Sequence, residues 1–193
     1  YSKARRNQLW VPFLEKAYAK SHGSYKAISG GHIAEAFLDL TGAPTLQIQW
    51  HQNNANLNSS VMEPKPLWSK LLQWRAQRLP MGCGTDNSAN GIVGMHAYSI
   101  LDVREITNVG VEFFQEQLIH GTLGNVSGFT EYDGKVRLLR IRNPHGQGEW
   151  KGDFSDKSNL WEKLLAHSGA TLRRTNQGTS LASGKPEACM EGY

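Results

Sequence analysis

The chain has 193 residues (21.5 kDa), with 21 Lys and Arg against 17 Asp and Glu, a net charge of +4; 39% of residues are hydrophobic and 20% charged. That length suits one domain with a substantial core, and +4 is too small a bias to argue for nucleic acid, so no such partner is expected. No apolar run approaches the roughly 18 residues of a membrane span, no secretion signal precedes the first helix, and Cys83 and Cys189 are too few for a disulfide scaffold; the expected setting is reducing and cytoplasmic.

Along the chain, residues 8–20 predict an amphipathic helix, with Trp10, Phe13, Leu14, Ala17 and Tyr18 at three- and four-residue spacing and Pro12 in the first turn. A glycine-broken segment, HGSYKAISGGH, follows. A second helix is expected at about 31–40, closed by Gly42. Residues 51–60 read as a polar, Asn-rich loop, and a third helix is expected at 66–77, opened by proline and faced with Leu67, Trp68, Leu71, Leu72 and Trp74. From Met81 the period shifts towards two, which predicts strands at 81–85, 95–103, 109–115 and 135–142, the last introduced by the Asp133–Gly134 turn pair. Residues 116–130 read as an inserted loop, 160–166 as a short helix, and the chain from about 168 as a flexible Gly/Ser/Thr-rich tail. Helices followed by strands make the expected fold class α+β.

The chemistry-bearing candidates are few. Two stretches that resemble phosphate loops, 128–136 and 178–186, have five residues between the glycines instead of four and no Ser or Thr after the lysine, so neither is one. The seven histidines show no close pairing at zinc-ligand spacing, and zinc is not expected. Taken alone, His96 reads as a half-buried strand histidine and Asn143, before Pro144, as a turn former. Read as a pair, the Asn carboxamide could orient the imidazole, whose other nitrogen would then activate a cysteine thiol. Glu149, Asp153 and Asp156 share one glycine-containing loop, ordinarily a solvated turn but also a set of hard oxygen donors suited to calcium.

Four blocks together resemble the calpain family of cysteine proteases. They are WVPFLEKAYAKSHGSYKAISGGHIAEAFLDLTG (10–42), the Trp-bearing helix at 66–79, GMHAYSILDV (94–103) and VRLLRIRNPHGQGEWKGDFSD (136–156). The resemblance implies a papain-like cysteine protease core whose second subdomain has two small antiparallel sheets with flanking helices. Residues 1–30 would be the tail of the first subdomain and 31–193 the second, His/Asn-bearing half. It implies His96 as general base and Asn143 as its orienting partner, Gly31 and Met95 beside the substrate cleft, and Glu149 and Asp156 as calcium ligands. The nucleophilic cysteine would come from an upstream, Cys-bearing subdomain of the same protein, so the chain alone is expected to be inactive. The substrates would be proteins.

Three positions depart from the family's pattern. Met95 stands where the family has glycine before the histidine, His145 where a tryptophan shields the His–Asn bond, and Gln147 where an acidic residue is usual. These departures keep open an alternative reading, a non-catalytic calpain-like interaction or scaffold module.

Overall fold

The computed structural model describes residues 2, 8–49, 60–113, 133–168, 171–175 and 178–182. The expected loops at 51–60 and 116–130 lie almost wholly outside these residues, as does Cys189. The chain divides into two compact units, residues 1–47 and 48–193.

The first unit holds two helices, α1 (Trp10–Ser21) and α2 (Ile33–Thr41). Both follow the three- and four-residue apolar spacing of the sequence. The apolar stripe of α1 is largely exposed, Trp10 at 63% and Phe13 at 65%.

The second unit begins with a two-residue parallel pair, β1 (Ile48–Gln49) with β2 (Ser60–Val61), which the sequence does not announce. Helix α3 (Pro64–Ala76) starts two residues earlier than expected because both Pro64 and Pro66 fit its first turn, where no N–H is needed. Strands β3 (Met81–Thr85), β4 (His96–Ile106) and β5 (Val136–Arg142) form one antiparallel sheet in the order β3-β4-β5. Helix α4 (Leu160–Ser168) packs behind it. The protein is therefore α+β, with helices flanking a small three-stranded antiparallel sheet.

Two expectations are corrected. In the expected strand at 109–115, the described residues 109–113 form no strand. Val109 and Phe113 are buried, but Val109 precedes the helical residues 111–113 and Phe113 lies within them, so the two do not mark a strand face. The segment read as part of a flexible tail pairs into an antiparallel hairpin of β6 (Thr171–Thr175) and β7 (Gly178–Ala182).

The core lies between β5 and α4. Val109, Phe113, Val136, Leu138, Trp161 and Leu164 are all buried, with Ile106 and Phe154 packed against them. Phe154 and Trp161 meet edge to face at 5.0 Å, and the indole N–H of Trp161 donates to the Ser155 carbonyl at 2.9 Å.

Helix α3 is tied to the sheet by a buried carboxylate. Asp102, on β4, accepts from Arg75 of α3 at 2.6 Å, from Arg104 at 2.8 Å and from the Val103 backbone N–H at 3.0 Å. Burial pushes the Asp102 carboxyl up, but the two guanidinium groups outweigh it and hold the carboxyl below its ordinary range. One residue before it the β4–β5 register slips between Ile100 and Asp102, a bulge that leaves Leu101 outside the pairing.

Candidate active site

Antiparallel pairing brings the start of one strand beside the end of its neighbour. Ser99 of β4 faces Arg142 of β5, so His96 at the head of β4 and Asn143, just past β5, arrive together although 47 residues separate them. The His96 Nε2 lies 3.0 Å from Asn143 Oδ1. His96 is half-buried and Asn143 is buried, 8% exposed.

Two backbone groups fix which way the Asn143 carboxamide points. Its Nδ2 donates to the Gln147 carbonyl at 2.7 Å, and its Oδ1 accepts from the His145 N–H at 3.0 Å. A carbonyl can only accept and an amide N–H can only donate, so the oxygen must face the histidine. The His96 Nε2 therefore carries a hydrogen, and in the neutral ring Nδ1 is left with the lone pair. That is the tautomer a general base needs when its second nitrogen is to take a proton.

The ring is held from two further sides. Tyr98, two residues along β4, packs edge-on at 4.9 Å and 82° and accepts the Val93 N–H at its hydroxyl at 2.8 Å. The His145 ring lies 4.4 Å from the His96 ring at 52°. Thr85, opposite His96 in the β3–β4 pairing, accepts the His96 N–H at 3.3 Å and donates to the Val93 carbonyl at 2.6 Å.

The loop between β3 and β4 is a second structural element of the site. Ala89 and Ile92 bond each other in both directions across Asn90 and Gly91, whose φ angles are +49° and +91°, a two-residue turn of the Asn-Gly kind. Its tip docks on the chain that follows Asn143. Lys151 N–H donates to the Asn90 carbonyl at 2.8 Å, and a Cβ on Gly91 would stand 1.9 Å from the Glu149 carbonyl oxygen. A Cβ on Gly94 would likewise meet the Asn87 and Ser88 backbone at 2.8 Å. The sequence reading missed this loop, although Asn90–Gly91 is a strong hairpin signal.

A model of the calpain family cysteine protease domain matches residues 1–181. The chain belongs to the calpain family of cysteine proteases. Over 170 residues it is 36% identical to the calpain-type cysteine protease DEK1 of Zea mays, which covers 84% of this chain and 6% of that protein. It is 32% identical over 182 residues to calpain-14 of Homo sapiens, covering 92% and 22% respectively. To the calpain-1 catalytic subunit of Rattus norvegicus it is 33% identical over 179 residues, covering 88% and 20%. The chain thus spans less than a quarter of the length of each of these relatives. It is a calpain-family protease domain, and the family is one of peptidases acting on proteins.

The remaining candidate residues of this calpain domain are placed as follows. Met95 precedes His96 with φ +51° and is 88% exposed, so a side chain stands in the left-handed region of the backbone. Gly31 lies in the first unit, before α2, with the Glu35 carboxylate 4.0 Å from where its Cβ would be. Cys83, the one cysteine among the described residues, sits half-buried on β3 opposite Tyr98, and burial pushes its thiol pKa up. A thiol held neutral in this way is a poor nucleophile.

Glu149 and Asp156 are both exposed, and the structure does not gather them with a third His, Cys, Asp or Glu among the described residues. Between them the Trp150 indole N–H donates to the Asp153 carbonyl at 2.6 Å, and burial pushes the Asp153 carboxyl up. The donors of this loop are carboxylates and carbonyls without sulfur or imidazole, a set that fits calcium in kind. No helix among the described residues is long and apolar enough to cross a membrane.

Proposed function

We propose that the chain is the His/Asn-bearing second half of a calpain-like, calcium-regulated intracellular cysteine endopeptidase core. The observation that carries this reading is the His96–Asn143 pair, with the carboxamide oriented by Gln147 and His145 so that Nδ1 is the free base. The nucleophile is a cysteine of an upstream subdomain, because Cys83 is held as a neutral thiol. The chain alone is then inactive.

In the assembled core, His96 Nδ1 takes the proton of the cysteine thiol, and the thiolate attacks the substrate carbonyl carbon. Asn143 keeps the ring in place as it becomes imidazolium. When the tetrahedral intermediate collapses, His96 returns the proton to the leaving amine, and water, activated by the same nitrogen, hydrolyses the thioester. Gly31, in the first unit, is kept as the substrate-side glycine that the family resemblance assigns. Glu149 and Asp156 would hold calcium in the loop after Asn143, where the ion would brace the segment on which the Asn90–Gly91 turn docks.

A second reading, an interaction module without catalysis, is favoured by Met95, an exposed side chain where the family has glycine immediately before the histidine. One experiment separates the two. The longer protein that carries this chain is treated with a thiol-directed peptide probe, with and without calcium. Calcium-dependent labelling of one cysteine upstream of residue 1, lost in His96→Ala, supports the protease. Absence of labelling with an intact fold establishes the module.

A further inference from the structure

The first unit holds a cluster that spacing along the chain does not reveal. His22 follows α1, and Glu35 and Asp39 lie one helical turn apart on α2. One ligand atom from each lies within 4.8 Å of the other two. His22 Nε2 is 3.2 Å from Asp39 Oδ2.

Tyr18 positions two of these three residues. His22 Nδ1 is 3.0 Å from the Tyr18 carbonyl, which can only accept, so Nδ1 carries a hydrogen and Nε2 points a lone pair, or a second proton, at the carboxylate. A hydrogen bond from the remote ring nitrogen to a backbone carbonyl is the usual support of a metal-bound histidine. The Tyr18 hydroxyl donates to Asp39 Oδ2 at 3.1 Å, and its ring lies 4.3 Å from the His22 ring, so one residue braces two ligands. The two carboxylates repel each other at this spacing, and Asp39 stands near the negative end of a helix with no basic residue in its last turn. His22 and Asp39 also border a cavity of about 480 Å³, room for the waters that complete a coordination sphere.

We propose that His22, Glu35 and Asp39 bind a zinc ion. An imidazole with two carboxylates suits zinc and disfavours calcium, which takes oxygen donors only. A zinc ion about 2.1 Å from each donor needs the donors roughly 3–3.5 Å apart, a closure that the exposed Glu35 side chain supplies by rotation. The ion clips α1 to α2 across the glycine-broken segment 23–32. It is independent of the His96–Asn143 reading, and calcium does not replace it.

The test is zinc stoichiometry on the full chain by competition with a chromophoric chelator, with parallel melting curves. His22→Ala and Glu35→Gln are each expected to lose one zinc equivalent relative to the parent, and the zinc-dependent rise in melting temperature with it. His32→Ala, an exposed histidine outside the cluster, retains both. Metal-free melting temperatures matched to the parent show that the variants fold, and Glu35→Gln keeps the test open if His22→Ala does not. Unchanged stoichiometry in a folded His22→Ala or Glu35→Gln chain overturns the site and leaves only a His22–Asp39 ion pair. Equal loss in His32→Ala overturns it too, as does calcium displacing zinc at comparable concentration.

Discussion

The Asn143 carboxamide faces His96 with its oxygen at 3.0 Å, and it does so because Gln147 and His145 occupy its other hydrogen-bonding positions. Replacing Asn143 with Ala removes the acceptor that selects the Nε2–H tautomer and frees the ring to turn. In the longer protein, Asn143→Ala should lower kcat about a hundredfold or more with little change in KM. Nitrogen NMR of the His96 ring should show a single tautomer in the parent chain and a mixture in the variant. The same tautomer populations in both would reject the orienting role.

Asp102 makes a stability prediction with a pH signature. Its carboxyl is held below the ordinary range by Arg104 and Arg75 acting against burial. A carboxyl with a depressed folded-state pKa stabilises the fold above its unfolded pKa, and that contribution is lost as pH falls through the folded value. Asp102→Asn should cost about 2 kcal/mol at neutral pH, less than a fully buried pair because Arg75 is 42% exposed. The difference between parent and variant in urea melts should shrink on acidification below the ordinary carboxylate range. A pH-independent difference would mean that packing, not charge, carries the effect.

Gly91 is the contact on which the β3–β4 loop docks. A methyl group there would stand 1.9 Å from the Glu149 carbonyl oxygen, at a φ of +91° that L side chains rarely adopt. Gly91→Ala should therefore cost about 2 kcal/mol or release the loop outright. Hydrogen exchange reads the difference: the Lys151 amide, bonded to the Asn90 carbonyl at 2.8 Å, should lose its protection while the Val103 amide inside β4 keeps it. Protection of Lys151 equal to the parent's would show that the loop absorbs the methyl.

Much of this architecture is legible in the sequence, and the parts that are not share a cause. The helices and the strands β3, β4 and β5 follow from periodicity, because their apolar residues face one side over several turns or alternations. His96 and Asn143 are visible as a pair only through resemblance, since spacing cannot say that β4 and β5 are neighbours. The 109–113 stretch misleads because Val109 and Phe113, its two buried residues, are too few to tell a helical turn from a short strand. The His22, Glu35 and Asp39 cluster escapes a search for His–His or Cys–Cys pairs, as two of its members are carboxylates and the third lies across a turn. The Asn90–Gly91 turn could have been read directly.

The calcium reading rests on Glu149 and Asp156, exposed carboxylates of one loop. Titration calorimetry of calcium into the longer protein should give a heat that disappears in the double variant Glu149→Gln, Asp156→Asn and persists in Glu35→Gln. No heat in the parent would remove the assignment. Heat that survives the double variant would place the ion elsewhere.

Met95 makes the sharpest distinction between a working protease and a silent module. Its φ of +51° costs a side-chain-bearing residue about 1–2 kcal/mol relative to glycine. Glycine would recover that, less about 0.4–1 kcal/mol for its freer unfolded chain, so Met95→Gly should stabilise the fold by roughly 0–1.6 kcal/mol. It would also remove an 88% exposed side chain beside His96. If Met95 crowds an otherwise competent site, kcat/KM of the longer protein on a peptide substrate should rise about tenfold, since one well-placed side chain costs roughly 1–2 kcal/mol of approach. A stabilised variant with no gain in cleavage would show that Met95 strains the backbone without governing access. A destabilised one would show that its side chain makes a contact worth more than the strain.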